Sequence, residues 1–226
     1  MRALRALSTV LIVVGCLLLV DAGLTLVWQE PVSGLYALYQ QKRLDSQLAD
    51  ANRQRLSGAE LASLSRLRTR VQRLGFLARR YRREAGPGDP LGRIKIPSIG
   101  LDKIFVEGTG TADLRKGPGR YPLTSFPGLP GTMAIAGHRT TYGAPFRALD
   151  KLRRGDAIAL ELPYGVFRYR VQRTQVVSPN ALSVTRNRGY ARLVLSACHP
   201  LYSAAKRIVV FARLSSVALR GPASAA

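Results

Sequence analysis

Hydrophobic and polar positions divide the chain into three regimes. Residues 6–28 are apolar almost throughout, with Asp21 the single charge among them, and about 20 such residues suffice to cross the hydrocarbon core of a bilayer. Residues 35–84 have helical composition, and Leu64, Leu67, Val71, Leu74 and Ala78 alternate spacings of three and four as in a short heptad seam. The cluster AGPGDP at 85–90 breaks that pattern. Beyond it, short β-type runs are divided by Gly and Pro turns. They predict strands at 92–96, 101–106, 132–136, 156–161, 167–177, 191–196 and 207–214, which read as a mainly β barrel or sandwich. Residues 145–152 are the one clear helix predicted within this part, with a single turn at 111–116 and a frayed end at 221–226.

The expected organisation is therefore a cytoplasmic N-terminus (1–5), a membrane anchor (6–28), a helical stalk and linker (29–89), a β domain (90–214) and a flexible tail (215–226). Residues 7–20 alone would resemble a signal-peptide core, but apolar character resumes at Leu24, Leu26 and Val27 without a small-x-small cleavage site. An uncleaved signal anchor follows. Arg2 and Arg5 precede the span, whereas its far side begins with Glu30 and meets no cation until Lys42. The positive-inside rule then leaves the N-terminus in the cytoplasm. Trp28 marks the outer interface, and Asp21 reads as a residue near it in preference to a polar contact with another helix. Val13, Val14, Gly15 and Cys16 have the look of a lipoprotein cleavage box, but the short apolar core before Cys16 and the apolar residues after it indicate a plain membrane cysteine.

Length and charge narrow the picture. At 226 residues there is room for one sizeable core plus accessory segments. A formal net charge of +22 calls for an anionic neighbour. No zinc-finger spacing, RNA-binding signature or interleaved aromatic and basic stripe is present, so nucleic acid is the least supported partner. The arginines from Arg53 to Arg83 read first as a solvated helical stalk, and more pointedly as a face for anionic lipid or wall polymer. Neither an acidic cluster suited to a metal nor a cofactor motif occurs, so no metal or cofactor is expected.

Two cysteines cannot build a disulfide framework, and a Cys16 inside the bilayer cannot reach Cys198. Cys198 ends the β-type run at 192–195, and Arg207 opens the next run. A thiol is a useful nucleophile only as the thiolate. An ordinary cysteine, with pKa about 8.5, needs a nearby cation or base to supply it at neutral pH. The bland alternative is a small buried hydrophobe. Of the two histidines, His199 is adjacent to Cys198, and successive side chains on a strand face opposite ways. His138 follows the predicted strand at 132–136 in AGHRTTYGAPF, where Gly137 permits a turn into a loop. Such loops are common addresses for catalytic groups.

Gly137 with His138, Leu195 with Cys198, and Arg207 resemble the His, Cys and Arg signatures of sortases, the membrane-anchored cysteine transpeptidases of Gram-positive surfaces. The longer runs GPGRYP at 117–122, AGHRTTYGAPF and CHP are most similar to class E sortases of actinobacteria, and the resemblance covers residues 90–214. It implies an eight-stranded β-barrel with Cys198 and Arg207 on its last two strands. It also implies cleavage of an L-A-x-T-G or L-P-x-T-G sorting signal between Thr and Gly, and transfer of the acyl group to an amine of a peptidoglycan precursor or a pilin. Cys198 would be the nucleophile, His138 the acid–base group and Arg207 the oxyanion donor, with Tyr121 and Ala197 beside the substrate. The chain departs from the family pattern T-L-x-T-C: it has Val194, Leu195, Ser196, Ala197 and Cys198, so both threonines are missing and a hydroxyl beside the nucleophile is lost. Two other readings compete. An L,D-transpeptidase also uses Cys and His, but its Ser-x-Gly-Cys stretch is absent. A non-catalytic tethered binder of anionic wall polymer would use the basic surface alone.

Overall fold

The computed structural model describes residues 2–28, 31–53 and 56–221. Helices α1 (Arg2–Trp28), α2 (Pro31–Arg53), α3 (Gly58–Ser65) and α4 (Arg70–Glu84) come first. Strands β1 (Pro90–Ile96) and β2 (Leu101–Glu107), the short helix α5 (Thr111–Lys116) and strands β3 (Gly119–Arg120), β4 (Thr132–Ala136), β5 (Ala157–Leu162), β6 (Gly165–Val177), β7 (Arg192–His199) and β8 (Lys206–Leu219) follow. The eight strands close into a barrel in the order β1-β2-β3-β4-β7-β8-β6-β5. Neighbours are antiparallel except β2 with β3 and β4 with β7, which run parallel. Strand β3 escapes sequence reading because two residues carry no alternation. It forms where Gly119 lets two backbones meet: a Cβ there would stand 2.0 Å from the Gly108 carbonyl oxygen.

Alternation sorts β4, β7 and β8 into two apolar faces. Met133, Ile135, Leu193, Leu195, Ala197, Ile208, Val210 and Ala212 point into the barrel core. Ala134, Val194, Val209 and Phe211 form a second cluster on the outside, covered by Tyr121, Val177 and Val184. An outer barrel face that is itself apolar and roofed by loops is the setting for a groove.

The segment expected as a solvated stalk is helical but packs on the barrel. Leu64 of α3 and Leu74, Leu77 and Ala78 of α4 belong to the main core, together with Phe126, Tyr164 and Phe167. Burying a leucine contributes about 1.5–3 kcal/mol, so these helices are part of the domain. Tyr81 of α4 packs against Phe126 and Tyr164, and burial pushes the Tyr81 and Tyr164 phenols well above their ordinary pKa. On α2, Leu44 and Leu48 pack against Ile104 and Val106. The Gln41 side-chain amide bonds the Ile104 N–H at 2.8 Å and the Ile104 and Lys116 carbonyls at 3.0 and 2.9 Å. The seam expected over 64–78 is not continuous. Thr69 caps a new helix through a capping box with Gln72, which breaks the register and leaves Val71 76% exposed.

Two further expectations are revised. Residues 145–152 form successive tight turns, with i→i+3 bonds such as Arg147 N–H to the Ala144 carbonyl and Lys151 N–H to the Ala148 carbonyl, and only Leu149–Lys151 make a 3-10 turn. These turns carry the side chains of Phe146 and Leu149 into the core. The expected tail at 215–219 is instead the end of β8, paired with β6. Helix α1 carries an apolar stretch, Leu4–Gly23, long enough to cross a membrane. The side chain of Trp28, along with Glu30, Arg55 and residues 222–226, lies outside the described residues.

Candidate active site

Cys198 and Arg207 are direct cross-strand partners in the antiparallel β7–β8 ladder. Such partners hold their Cβ atoms about 4.5–5.5 Å apart on the same face. The Arg207 guanidinium is anchored through Nη1, which donates to the Ala204 and Lys206 carbonyls at 3.0 Å each. Nε and Nη2 carry the other donors of the fork. On the opposite side of β7, strand β4 runs parallel with Ala136 opposite Ser196, and the Gly137 N–H extends the pairing to the Ser196 carbonyl at 3.1 Å. His138 and Cys198 are each two residues beyond that pair. Glycine is required at 137, because a Cβ would stand 2.6 Å from the buried ring of Phe146. The Phe146 N–H donates back to the His138 carbonyl at 3.0 Å and closes the loop. His, Cys and Arg thus stand at the ends of three adjacent strands.

Beside them a cavity of about 480 Å³ runs along the outer face of β7 and β8 under the loop after β6, lined by Tyr121, Leu182, Val194, Ser196, Arg207 and Val209 among others. Its lining is largely apolar. Tyr121 stands in its wall. Ala197 does not line it. Only 3% exposed, Ala197 points into the core beside Ile208, because residues 196 and 198 take the groove face and 197 the other. Of the two positions where threonine is missing, only Val194 reaches the groove.

Sequence reading missed two of the buried arginines that shape this region. Arg139, 3% exposed, is ion-paired with Asp150 at 3.0 Å and donates to the Arg147 carbonyl at 3.2 Å. Its Nη1 lies 3.0 Å from His199 Nδ1 and 3.5 Å from the Cys198 carbonyl oxygen. It therefore straps the histidine loop to the end of the cysteine strand and engages His199 on the face away from Cys198. Arg120 makes a bidentate pair with Glu107, at 2.6 Å for both bonds, and its Nη1 and Nη2 reach the carbonyls of Tyr121, Pro122 and Thr124. That buried pair holds the groove wall. An arginine beside His138 and another inside GPGRYP were the available signals, and neither shows burial by itself. Among the described residues no group of three or more His, Cys, Asp or Glu could hold a metal ion.

A family model of the sortase domain matches residues 94–215, more than half of the chain. The chain belongs to the sortase family. This sortase is 33% identical over 130 residues to sortase D of Bacillus subtilis, a stretch that covers 56% of the chain and 64% of that relative. The solved sortase E of Streptomyces avermitilis shares 34% identity, covering 59% of this chain and 93% of that one with a TM-score of 0.55. Sortase E1 of Streptomyces coelicolor, solved with a tripeptide in its active site, is 25% identical over 60% of this chain and 93% of that one, with a TM-score of 0.57. The matched region spans less than two thirds of the length of the curated relatives.

Proposed function

We propose that this sortase is a membrane-anchored cysteine transpeptidase that cuts a C-terminal sorting signal of the L-A-x-T-G or L-P-x-T-G type between Thr and Gly. The observation that carries the proposal is the register of three strand ends, with Cys198 opposite Arg207 on β8 and His138 at the matching step beyond β4. The Cys198 thiolate attacks the threonine carbonyl carbon. The C–N bond to glycine then breaks as His138 gives a proton to the leaving amine, and a thioester remains on Cys198. An incoming amine, from a peptidoglycan precursor or a pilin lysine, loses a proton to His138 as it attacks. The C–S bond breaks, and the thiolate returns. Arg207 donates to the oxyanion in both steps, a contribution on the order of 3 kcal/mol.

The apolar groove suits the leucine end of the signal, and Tyr121 offers a hydroxyl to its polar groups. The tripeptide in the active site of the Streptomyces coelicolor relative supports peptide binding here. Helix α1 serves as a single-pass anchor that leaves the N-terminus in the cytoplasm and the barrel outside, where secreted proteins bearing the signal are met. Full-length protein in detergent micelles, given L-A-x-T-G and L-P-x-T-G peptides with a glycine-amine acceptor, should release the glycine-terminated fragment and form the transfer product. Cys198→Ala should lose both, and Arg207→Ala should retain about one hundredth of kcat. Cleavage surviving in Cys198→Ala would remove the nucleophile assignment. Tight binding of anionic wall polymer without any cleavage would favour the tethered binder.

A further inference from the structure

The loop that carries His138 is gripped from outside the barrel by the helix that follows the apolar anchor. The Tyr142 N–H donates to Ser33 Oγ at 3.1 Å across a sequence gap of 109 residues. The Tyr36 ring meets the Tyr142 ring edge-on, with centroids 6.2 Å apart at 72°. A Cβ at Gly143 would rest 3.4 Å from the Ala37 methyl. From α5, the Arg115 guanidinium stands 5.6 Å from the centroid of the same tyrosine ring. Tyr142, Gly143 and Ala144 are all left-handed, with φ of 51°, 70° and 41°, a conformation that bulky residues adopt only when their surroundings impose it. The ring held in this way lies 5.2 Å from the His138 ring at 41°. Helix α2 is in turn fixed to the barrel by Gln41 and by Leu44 and Leu48.

We infer that Tyr142 is a positioning residue for His138, and that Ser33 and Tyr36 of α2 are what hold Tyr142 in place, so that the membrane-proximal helix completes the active site. The inference rests on the reading of His138 as the acid–base group. An imidazole that must serve first the leaving amine and then the incoming one has to keep one orientation through both proton transfers, and loss of a supporting ring lets it rotate away. The helix acts on the histidine side of the site. The Cys198–Arg207 side is fixed independently by the β7–β8 ladder.

The test uses full-length protein in micelles with isotopically labelled histidine. The chain has two histidines, so two imidazole signals are expected, assigned with His199→Gln. Tyr142→Ala and the pair Ser33→Ala with Tyr36→Ala should shift the His138 ring signals, through loss of the Tyr142 ring current or its altered placement, and leave those of His199 in place. In peptide cleavage both variants should lose about tenfold or more in kcat with KM within twofold. Tyr142→Phe should restore the signal and the rate. Unmoved His138 signals in the two alanine variants, an unchanged kcat, or a Phe variant as impaired as Ala would each overturn the inference. Because the magnetic resonance arm needs no substrate, it stands even if the peptide reaction itself is not found.

Discussion

The two sides of the site are built on different principles. Cys198 and Arg207 are placed by an antiparallel ladder in which each is the other's cross-strand partner, so the backbone sets the spacing of their Cβ atoms. His138 lies past the end of a five-residue strand, on a loop whose position comes from side chains: Arg139 from within, and Ser33 and Tyr36 of α2 from outside. The groove wall is like the second kind, since its 121–125 loop hangs on the buried Arg120–Glu107 pair. A ladder keeps its register when single side chains change, whatever that costs in packing. A strut does not, because a buried cation that loses its partner keeps the full cost of its desolvation.

That contrast can be broken at its strongest point first. Glu107→Ala leaves Arg120 charged and buried, and should cost about 3–5 kcal/mol of stability, read as a lower denaturation midpoint. Survival of the wall with little loss would mean that the strut is not needed. Ala197→Thr restores the hydroxyl that the family pattern carries, but it does so on the core side of β7. The expected result is about 1–3 kcal/mol of overpacking with unchanged preference among sorting-signal peptides, and a changed preference would return position 197 to the groove. Arg139→Met, apolar and of similar length, removes the strap between the two halves and should lower kcat about tenfold while Cys198 remains opposite Arg207. An equal loss in a ladder substitution such as Val210→Ile, which points into the core, would erase the distinction between ladder and strut.

How much was legible follows the same line. Strands β7 and β8 announce themselves as continuous β-type runs, and Cys198 and Arg207 fall at their ends, so their closeness was legible, whereas their register as cross-strand partners comes from the ladder. His138 was legible as a residue after a strand, although what holds it was not. The contacts of α2 with the histidine loop join residues more than 100 positions apart, and an amphipathic pattern states that a face will be covered without naming its partner. Leu64, Leu74 and Ala78 therefore looked like a seam for another helix when their partner is the barrel. Arg120 and Arg139 were hidden among 35 basic residues, where composition cannot tell a buried strut from a solvated surface charge. The inward direction of Ala197 was within reach, because counting by twos from Cys198 already puts it on the other face.

If Cys198 takes the acyl group of a sorting signal, mass spectrometry of the protein mixed with L-A-x-T-G and L-P-x-T-G peptides will detect the intermediate. The expected result is an adduct on the Cys198-containing fragment whose mass ends at the signal threonine, discharged by an added amine and absent from Cys198→Ala. An adduct on any other residue, or turnover with none formed on Cys198 under rapid quenching, would contradict it.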